Sequence, residues 1–98
     1  MKIRILPEAE KDLEIGATFY DAVRLGLGSH FLDCLFTDIE NLCLLAGVHS
    51  KEHGYHCALS KRFPYLIFYD LNGEFVSVVA VLDARREPDL ILANLQGR

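Results

Sequence analysis

Two long apolar segments separated by Asn72-Gly73 constrain the fold of this chain more than any other feature. The segments run over residues 65–69 and 75–82 and are rich in Val, Ile, Tyr and Phe, which favour strands. Asn and Gly tolerate the positive φ of a two-residue type I′ turn, so the pattern predicts a β-hairpin with this pair at its turn. In that register Tyr69 faces Val76.

Both faces of the predicted hairpin are apolar, whereas a strand exposed on one face alternates apolar with polar residues. We therefore expect the hairpin at the centre of a sheet. Other elements of the chain should then cover much of both of its faces.

Two pairs of basic residues flank this hairpin. Lys61 and Arg62 precede the first strand, and Arg85 and Arg86 follow the second. Because an antiparallel strand returns to its starting end, the four cations are expected at one end of the sheet. Such a group can bind phosphates or carboxylates through charge-assisted hydrogen bonds. The alternative is a set of solubilising edge charges paired with neighbouring acids such as Asp83, and the residues alone do not decide between the two.

The segment before the hairpin has the spacing of two amphipathic helices. Pro7 is suited to the first turn of a helix because its missing N–H is not needed there, and the helix should run to about Arg24. Gly26 is expected to end it, and Ser29 to cap a second helix over residues 30–46. The short link makes the two helices an antiparallel hairpin.

The remaining segments complete a single α+β domain spanning residues 1–98. We predict short strands over residues 2–6 and 56–60, an exposed loop over 48–55, and a short helix or an extended tail over 88–96. The predicted fold is an N-terminal strand, a helical hairpin and a three-stranded antiparallel meander, with the helices on one face of the sheet.

Charge and hydropathy exclude several functional classes. The chain has 14 acidic and 10 basic residues and a net charge of −4, which argues against a generic nucleic-acid binder. No apolar run approaches the roughly 20 residues of a membrane helix, and the start MKIRIL lacks the apolar region of a signal peptide. We expect a cytoplasmic protein without a membrane partner. Three cysteines without a C-x-x-C pair predict reduced thiols there.

Two other residue patterns are candidate chemical sites. His49, His53 and His56 have the spacing H-x3-H-x2-H, but no helical pattern supports zinc binding, so solvated loop histidines are the better interpretation. Glu10 and Glu14 are better explained as partners of a helix dipole than as an acid/base pair. We predict no metal, no cofactor, no small-molecule substrate and no catalytic residue.

The order of these motifs resembles the ParE/RelE superfamily of type II toxins. R-F-P-Y-x-I-x-Y begins at Arg62, and V-x-A-V-L-x-x-R-R-x-P begins at Val78 after the hairpin. P-E-A-E-x-D-L-E begins at Pro7, and the Phe-Tyr pair at Phe19 also fits. The resemblance covers nearly the whole chain, and the element order derived above agrees with it.

The resemblance implies a small toxin that a cognate ParD- or RelB-like antitoxin neutralises in a hetero-oligomeric complex, as in plasmid stabilisation systems. In the ParE branch the target is DNA gyrase, and in the RelE branch the toxin cuts mRNA on the ribosome. RelE-like cleavage needs a Tyr or His near the C-terminus, and no Tyr, His or Lys follows Arg86. We therefore favour the ParE branch, with the four cations as candidate target-binding residues. Asp83 departs from the family, which often has a His there.

Two alternatives stay open. A RelE-like endoribonuclease would use Arg62, Arg85 and Arg86 on the phosphate, with His56 or Tyr65 as a distant proton carrier. A degenerate member would bind only its antitoxin.

Apolar helix residues beyond a single stripe are the candidate antitoxin contacts, and an unpaired sheet edge is a second possible docking element. Packing inside the monomer is the alternative for these side chains. The candidates are Ile15, Phe19, Phe31, Leu44 and Leu45.

Overall fold

A five-stranded mixed sheet carries two helices on one face and a third on the other. The computed structural model describes all of residues 1–98. The elements in chain order are β1 (Lys2–Ile5), α1 (Pro7–Val23), α2 (Leu27–Leu45), β2 (Lys51–Glu52), β3 (Tyr55–Ser60), β4 (Tyr65–Asn72), β5 (Phe75–Asp83) and α3 (Pro88–Leu95). No helix is both long enough and apolar enough to cross a membrane.

The strand order is β1-β5-β4-β3-β2, with β1 parallel to β5 and every other pair antiparallel. The predicted α+β class, the meander and the central hairpin are confirmed. The prediction of an uninterrupted loop over residues 48–55 is wrong, because Lys51–Glu52 forms a two-residue strand against β3. Two charged residues carry no period that a sequence pattern can detect.

The turn of the central hairpin lies one residue later than predicted. Asn72 pairs with Phe75, which leaves Gly73 and Glu74 as the two loop residues, and Tyr69 pairs with Val78 rather than Val76. Gly73 has φ +59°, and Glu74 has no positive φ. A glycine at the first loop position followed by an ordinary residue is the type II′ pattern, which needs only one residue of positive φ. Asn72 is therefore free to extend the strand.

Helices α1 and α2 form the predicted helical hairpin on one face of the sheet, and they cross closely at two glycines. A Cβ on Gly16 would lie 2.6 Å from Phe31 Cζ, and a Cβ on Gly28 would lie 2.4 Å from the Ala17 carbonyl oxygen. Ser29 does not cap α2 as predicted, because the helix begins at Leu27, three residues before its predicted start. The Asp21 carboxylate instead accepts the Gly28 N–H at 2.7 Å.

The second face of the sheet is covered by α3, the segment whose structure the sequence left open. Ile91 and Leu95 pack there against Phe68, Ala80 and Leu82. Strand β5 has one extra residue between Val78 and Ala80, since Tyr69 pairs with the first and Phe68 with the second. Such a bulge shifts the following side chains to the opposite face. Both faces of the hairpin are thus covered, as expected.

Candidate protein-interaction surfaces

The two basic pairs lie at one end of the sheet, as predicted. Tyr65 pairs with Asp83, so the turn before β4 adjoins the turn after β5. The Ala84 N–H donates to the Pro64 carbonyl at 2.8 Å and ties these turns together. We call the exposed set the cationic end; its members are Lys61, Arg62, Arg85 and Arg86.

Arg85 is the one member of the cationic end whose charge is compensated within the chain. Its Nε lies 3.0 Å from Asp83 Oδ1 and its Nη2 lies 2.9 Å from Asp83 Oδ2, a forked contact. Nη2 also donates to the Tyr20 hydroxyl at 3.1 Å. Hydrogen bonds from Arg85 hold the pKa of Asp83 below its ordinary value. The structure therefore supports the edge-charge interpretation for Arg85.

The other three cations form no salt bridge, and they face different grooves. Lys61 and Arg62 line a groove against α2, whereas Arg86 lines a small cleft with Asp12 and Asn94. The four side chains therefore share one end without converging on a single pocket. An end of this kind presents separate positive charges to a partner surface.

Aromatic side chains form the base of the cationic end. Ring centroids lie 4.8 Å apart for Tyr20 and Phe63, and 4.9 Å apart for Phe31 and Tyr65. Burial raises the pKa of Tyr65 to about 12. This hydroxyl holds its proton near neutral pH, which disfavours the role of proton carrier considered from the sequence.

Phe31 is a wrong prediction as a partner contact, because none of its surface is exposed. It stacks on Tyr20 with centroids 5.2 Å apart and fills the space above Gly16. The signal that identifies it as core is its spacing with Leu35 and Ile39, which are also buried and follow at steps of four.

Ile15 and Phe19 are exposed on the outer side of α1, as a partner contact requires. Val23, four residues further, is 65% exposed and extends them into a stripe that the sequence analysis did not include. We call these three residues the α1 stripe. An apolar stripe facing solvent over two turns is suited to an amphipathic partner.

Leu44 and Leu45 are also exposed, but they lie at the opposite end of the helical hairpin from Phe19. Leu44 is 88% exposed, and Val48 beyond it is exposed as well. Leu71 comes within 3.3 Å of the Cβ position of Gly47 and adjoins them. We call these residues, Leu44, Leu45, Val48 and Leu71, the α2-end patch. The predicted antitoxin contacts therefore form two separate surfaces.

Two of the loop histidines are packed rather than solvated, which corrects their interpretation. His49 Nδ1 lies 2.7 Å from the Tyr69 hydroxyl, which also accepts the Gly47 N–H at 3.0 Å. The His56 ring stacks on Tyr69 with centroids 5.1 Å apart. Tyr69 is four residues along β4 from Tyr65, about 13 Å at roughly 3.3 Å per residue. His56 is therefore remote from the cationic end.

No protein-family model and no curated protein matches this chain. The chain is similar to a chain in the solved structure of the chromosomal ParDE TA system from P. aeruginosa, with a TM-score of 0.76 and 14% identity. The match covers 85% of this chain and 95% of that chain. The α+β fold expected from the sequence is confirmed, and this chain shares it with that chain.

Proposed function

We propose that this chain is the toxin component of a type II toxin–antitoxin system, neutralised by a ParD-like antitoxin and acting on DNA gyrase by direct contact. The observation that carries the proposal is the fold shared with the ParDE structure over 85% of the chain. The motifs that resemble the ParE/RelE superfamily, which extend from Pro7 to Pro88, support the same proposal.

The cationic end supports a protein target rather than a chemical reaction. Lys61, Arg62 and Arg86 have no acidic partner within the chain, so they are available to carboxylates of another molecule. The net charge of −4 disfavours tight binding to ribosomal RNA, whose phosphates would be repelled by the rest of the surface. Burial raises the pKa of Tyr65, whose ring lies beneath the cationic end, to about 12.

Gyrase supercoiling tests the target. The purified chain is expected to inhibit supercoiling of relaxed plasmid, and Lys61→Glu with Arg62→Glu should weaken inhibition about tenfold or more. Lys11→Glu, a single charge reversal at an exposed position of α1 outside the cationic end, is the control and should inhibit like the native chain. Normal supercoiling at high concentrations of the folded native chain would reject gyrase as the target.

A RelE-like endoribonuclease is the second candidate function, and the position of one side chain supports it. His30 lines the same groove as Lys61 and Arg62, which places a titratable ring near two cations. Mapping of mRNA 5′ ends after induction separates the candidates. New 5′ ends that appear on induction of the native chain and are absent with His30→Ala support cleavage. A set of 5′ ends that does not change on induction of the native chain rejects it.

A degenerate member that binds only its antitoxin is separated by growth. Induction of the chain without the antitoxin gene should stop growth if the chain is a toxin. Co-expression of the neighbouring antitoxin should restore growth. Unimpaired growth with abundant folded protein would leave antitoxin binding as the whole function.

A further inference from the structure

Three hydrogen bonds hold Arg85 against Asp83 in the turn after β5. The Arg85 backbone N–H donates to Asp83 Oδ1 at 2.9 Å, and Nε donates to the same oxygen at 3.0 Å. Nη2 donates to Asp83 Oδ2 at 2.9 Å, so both carboxylate oxygens are occupied. Because a single residue separates the two partners, little chain entropy is lost when this contact closes.

The remaining donors of Arg85 cannot form a forked contact with another molecule. A guanidinium group is planar with five N–H donors, and it binds an anion at two points through its Nε–Nη2 edge or its Nη1–Nη2 edge. Asp83 occupies the first edge. The Tyr20 hydroxyl, 3.1 Å from Nη2, accepts the second Nη2 proton, which the other edge requires. Both free donors are therefore on Nη1, and an outside anion can bind only that one nitrogen.

This arrangement distinguishes Arg85 from the rest of the cationic end. Lys61, Arg62 and Arg86 form no salt bridge within the chain. The Arg85 side chain is 57% exposed, which is ample for contact with a partner, whereas Asp83 is 19% exposed. The contact with Asp83, rather than burial, is therefore what restricts Arg85.

We propose that Asp83 masks Arg85 and thereby limits how strongly the cationic end binds acidic side chains of its target protein. The inference rests on the proposed function and names a residue that sets the strength of the same contact. A target carboxylate has to displace Asp83, which already makes the forked contact that the target would make. The displaced Asp83 carboxylate then repels the incoming one at short range. Because exposed ion pairs are weak, masking lowers the affinity severalfold and does not abolish binding.

Inhibition of gyrase supercoiling measures the effect of removing the mask. Asp83→Ala removes both acceptor oxygens, and it should lower the concentration for half-maximal inhibition about threefold to tenfold. Asp89→Ala is the matched control, because it gives the same change in net charge at an exposed carboxylate that forms no salt bridge. It should change that concentration less than about twofold.

Arg85→Gln in two backgrounds separates masking from positioning. If Asp83 masks Arg85, the loss of inhibition caused by Arg85→Gln should be at least about threefold larger in the Asp83→Ala background than in the native background. If Asp83 instead positions Arg85 for the target, the loss should be larger in the native background. Equal losses in the two backgrounds would also overturn the inference.

A measurement on the chain alone does not depend on the identity of the target. NMR follows the arginine Nε–H signals while an oligoglutamate peptide is added at low ionic strength. In the native chain the signals of Arg62 and Arg86 should shift at peptide concentrations that leave the Arg85 signal in place. In Asp83→Ala the Arg85 signal should shift together with them.

The combined results separate the inference from the proposed function. A shift of the Arg85 signal with that of Arg62 in the native chain, or no arginine shift in Asp83→Ala, overturns the masking. Inhibition by the native chain that Asp83→Ala does not strengthen also overturns it and leaves gyrase as the target. The expected NMR pattern without inhibition by either chain rejects gyrase and leaves the masking of Arg85 standing.

Discussion

Arg98 and Asp12 form a two-point ion pair between side chains 86 residues apart, with Nη2 lying 3.1 Å from Oδ1. Both side chains are largely buried, with 14% and 10% of their surface exposed. Asp12 also accepts the Val81 N–H at 3.0 Å, and Arg98 donates to the Val79 carbonyl at 3.2 Å. The pair therefore covers the edge of β5 beyond the point where β1 stops pairing.

Arg98→Ala should lower the free energy of unfolding by about 2–4 kcal/mol, because it leaves the buried Asp12 carboxylate without its cation. Urea unfolding at neutral pH measures this loss. The exposed pair of Lys2 and Glu74, 3.5 Å apart, provides the control, and Lys2→Ala should change stability by less than about 0.5 kcal/mol. Equal effects of the two variants would contradict the structural role of Arg98.

Asp83 should make stability depend on pH in the acid range. Arg85 lowers the folded-state pKa of Asp83 below 3.8, so the stabilisation is present above the unfolded pKa and is lost as pH falls through the folded value. The contribution is below about 1 kcal/mol, because the Arg85 side chain is 57% exposed and screened by water.

The test compares native chain and Asp83→Asn in urea at pH 6 and pH 3. The difference in unfolding free energy should be larger at pH 6. Asp89→Asn removes an exposed carboxylate that forms no salt bridge and should give no such difference at either pH. A difference in unfolding free energy between the native chain and Asp83→Asn that is larger at pH 3 than at pH 6 would contradict the lowered pKa of Asp83.

Cys57 should resist alkylation in the folded chain. Burial, with a further contribution from Glu52, raises the pKa of the Cys57 thiol from 9.0 to about 12. At pH 8 its thiolate fraction is then roughly a thousandfold below that of an ordinary cysteine, and iodoacetamide modification slows accordingly. Mass spectrometry of native and urea-unfolded protein measures the difference, and rapid modification of Cys57 in the native state would refute it.

The same thiol links pH to stability at the alkaline end. Its folded-state pKa is raised, so the stabilisation is complete below about pH 9 and is lost as pH rises toward 12. Cys57→Ser should flatten this alkaline loss.

The α1 stripe should bind the antitoxin without contributing much to folding. Ile15→Glu is expected to change the free energy of unfolding by less than about 1 kcal/mol, because the side chain is 57% exposed. It should weaken the antitoxin complex about tenfold or more, since a charge would enter an apolar contact. Thr18→Glu, on an exposed neighbouring position of α1, is the matched control. Calorimetric titration measures the affinity of both variants for the antitoxin. Equal affinities of Ile15→Glu and the native chain would exclude the α1 stripe as an antitoxin contact.

Local patterns predicted the elements of this fold and not the contacts that distant segments make. The apolar runs beside Gly73 indicate a hairpin, but Asn72 and Gly73 are both permissive residues and do not fix which pair forms the loop. Phe19 and Phe31 both lie on amphipathic helices, and the packing of Phe31 on Gly16 shows that Phe31 is the buried one.

In the candidate surfaces too, local patterns predict some features, whereas others depend on contacts between distant segments. The position of Lys61 and Arg85 at the same end of the sheet follows from the antiparallel pairing that the hairpin pattern predicts. The open edge at Leu59 depends on β2 ending after two residues, which composition does not encode. The pair of Asp12 and Arg98 depends on where α3 ends relative to α1, and no pattern within a window of neighbouring residues records that.

The parallel pairing of β1 with β5 has a consequence for synthesis. Lys2 pairs with Phe75, so β1 has no strand partner until more than seventy further residues have been made. Contacts of such long range slow folding and leave apolar helix surfaces uncovered meanwhile. A nascent chain interrupted before β5 therefore lacks the strand that joins β1 to β4, and a chaperone or an early-binding partner can bind the uncovered surfaces in that interval.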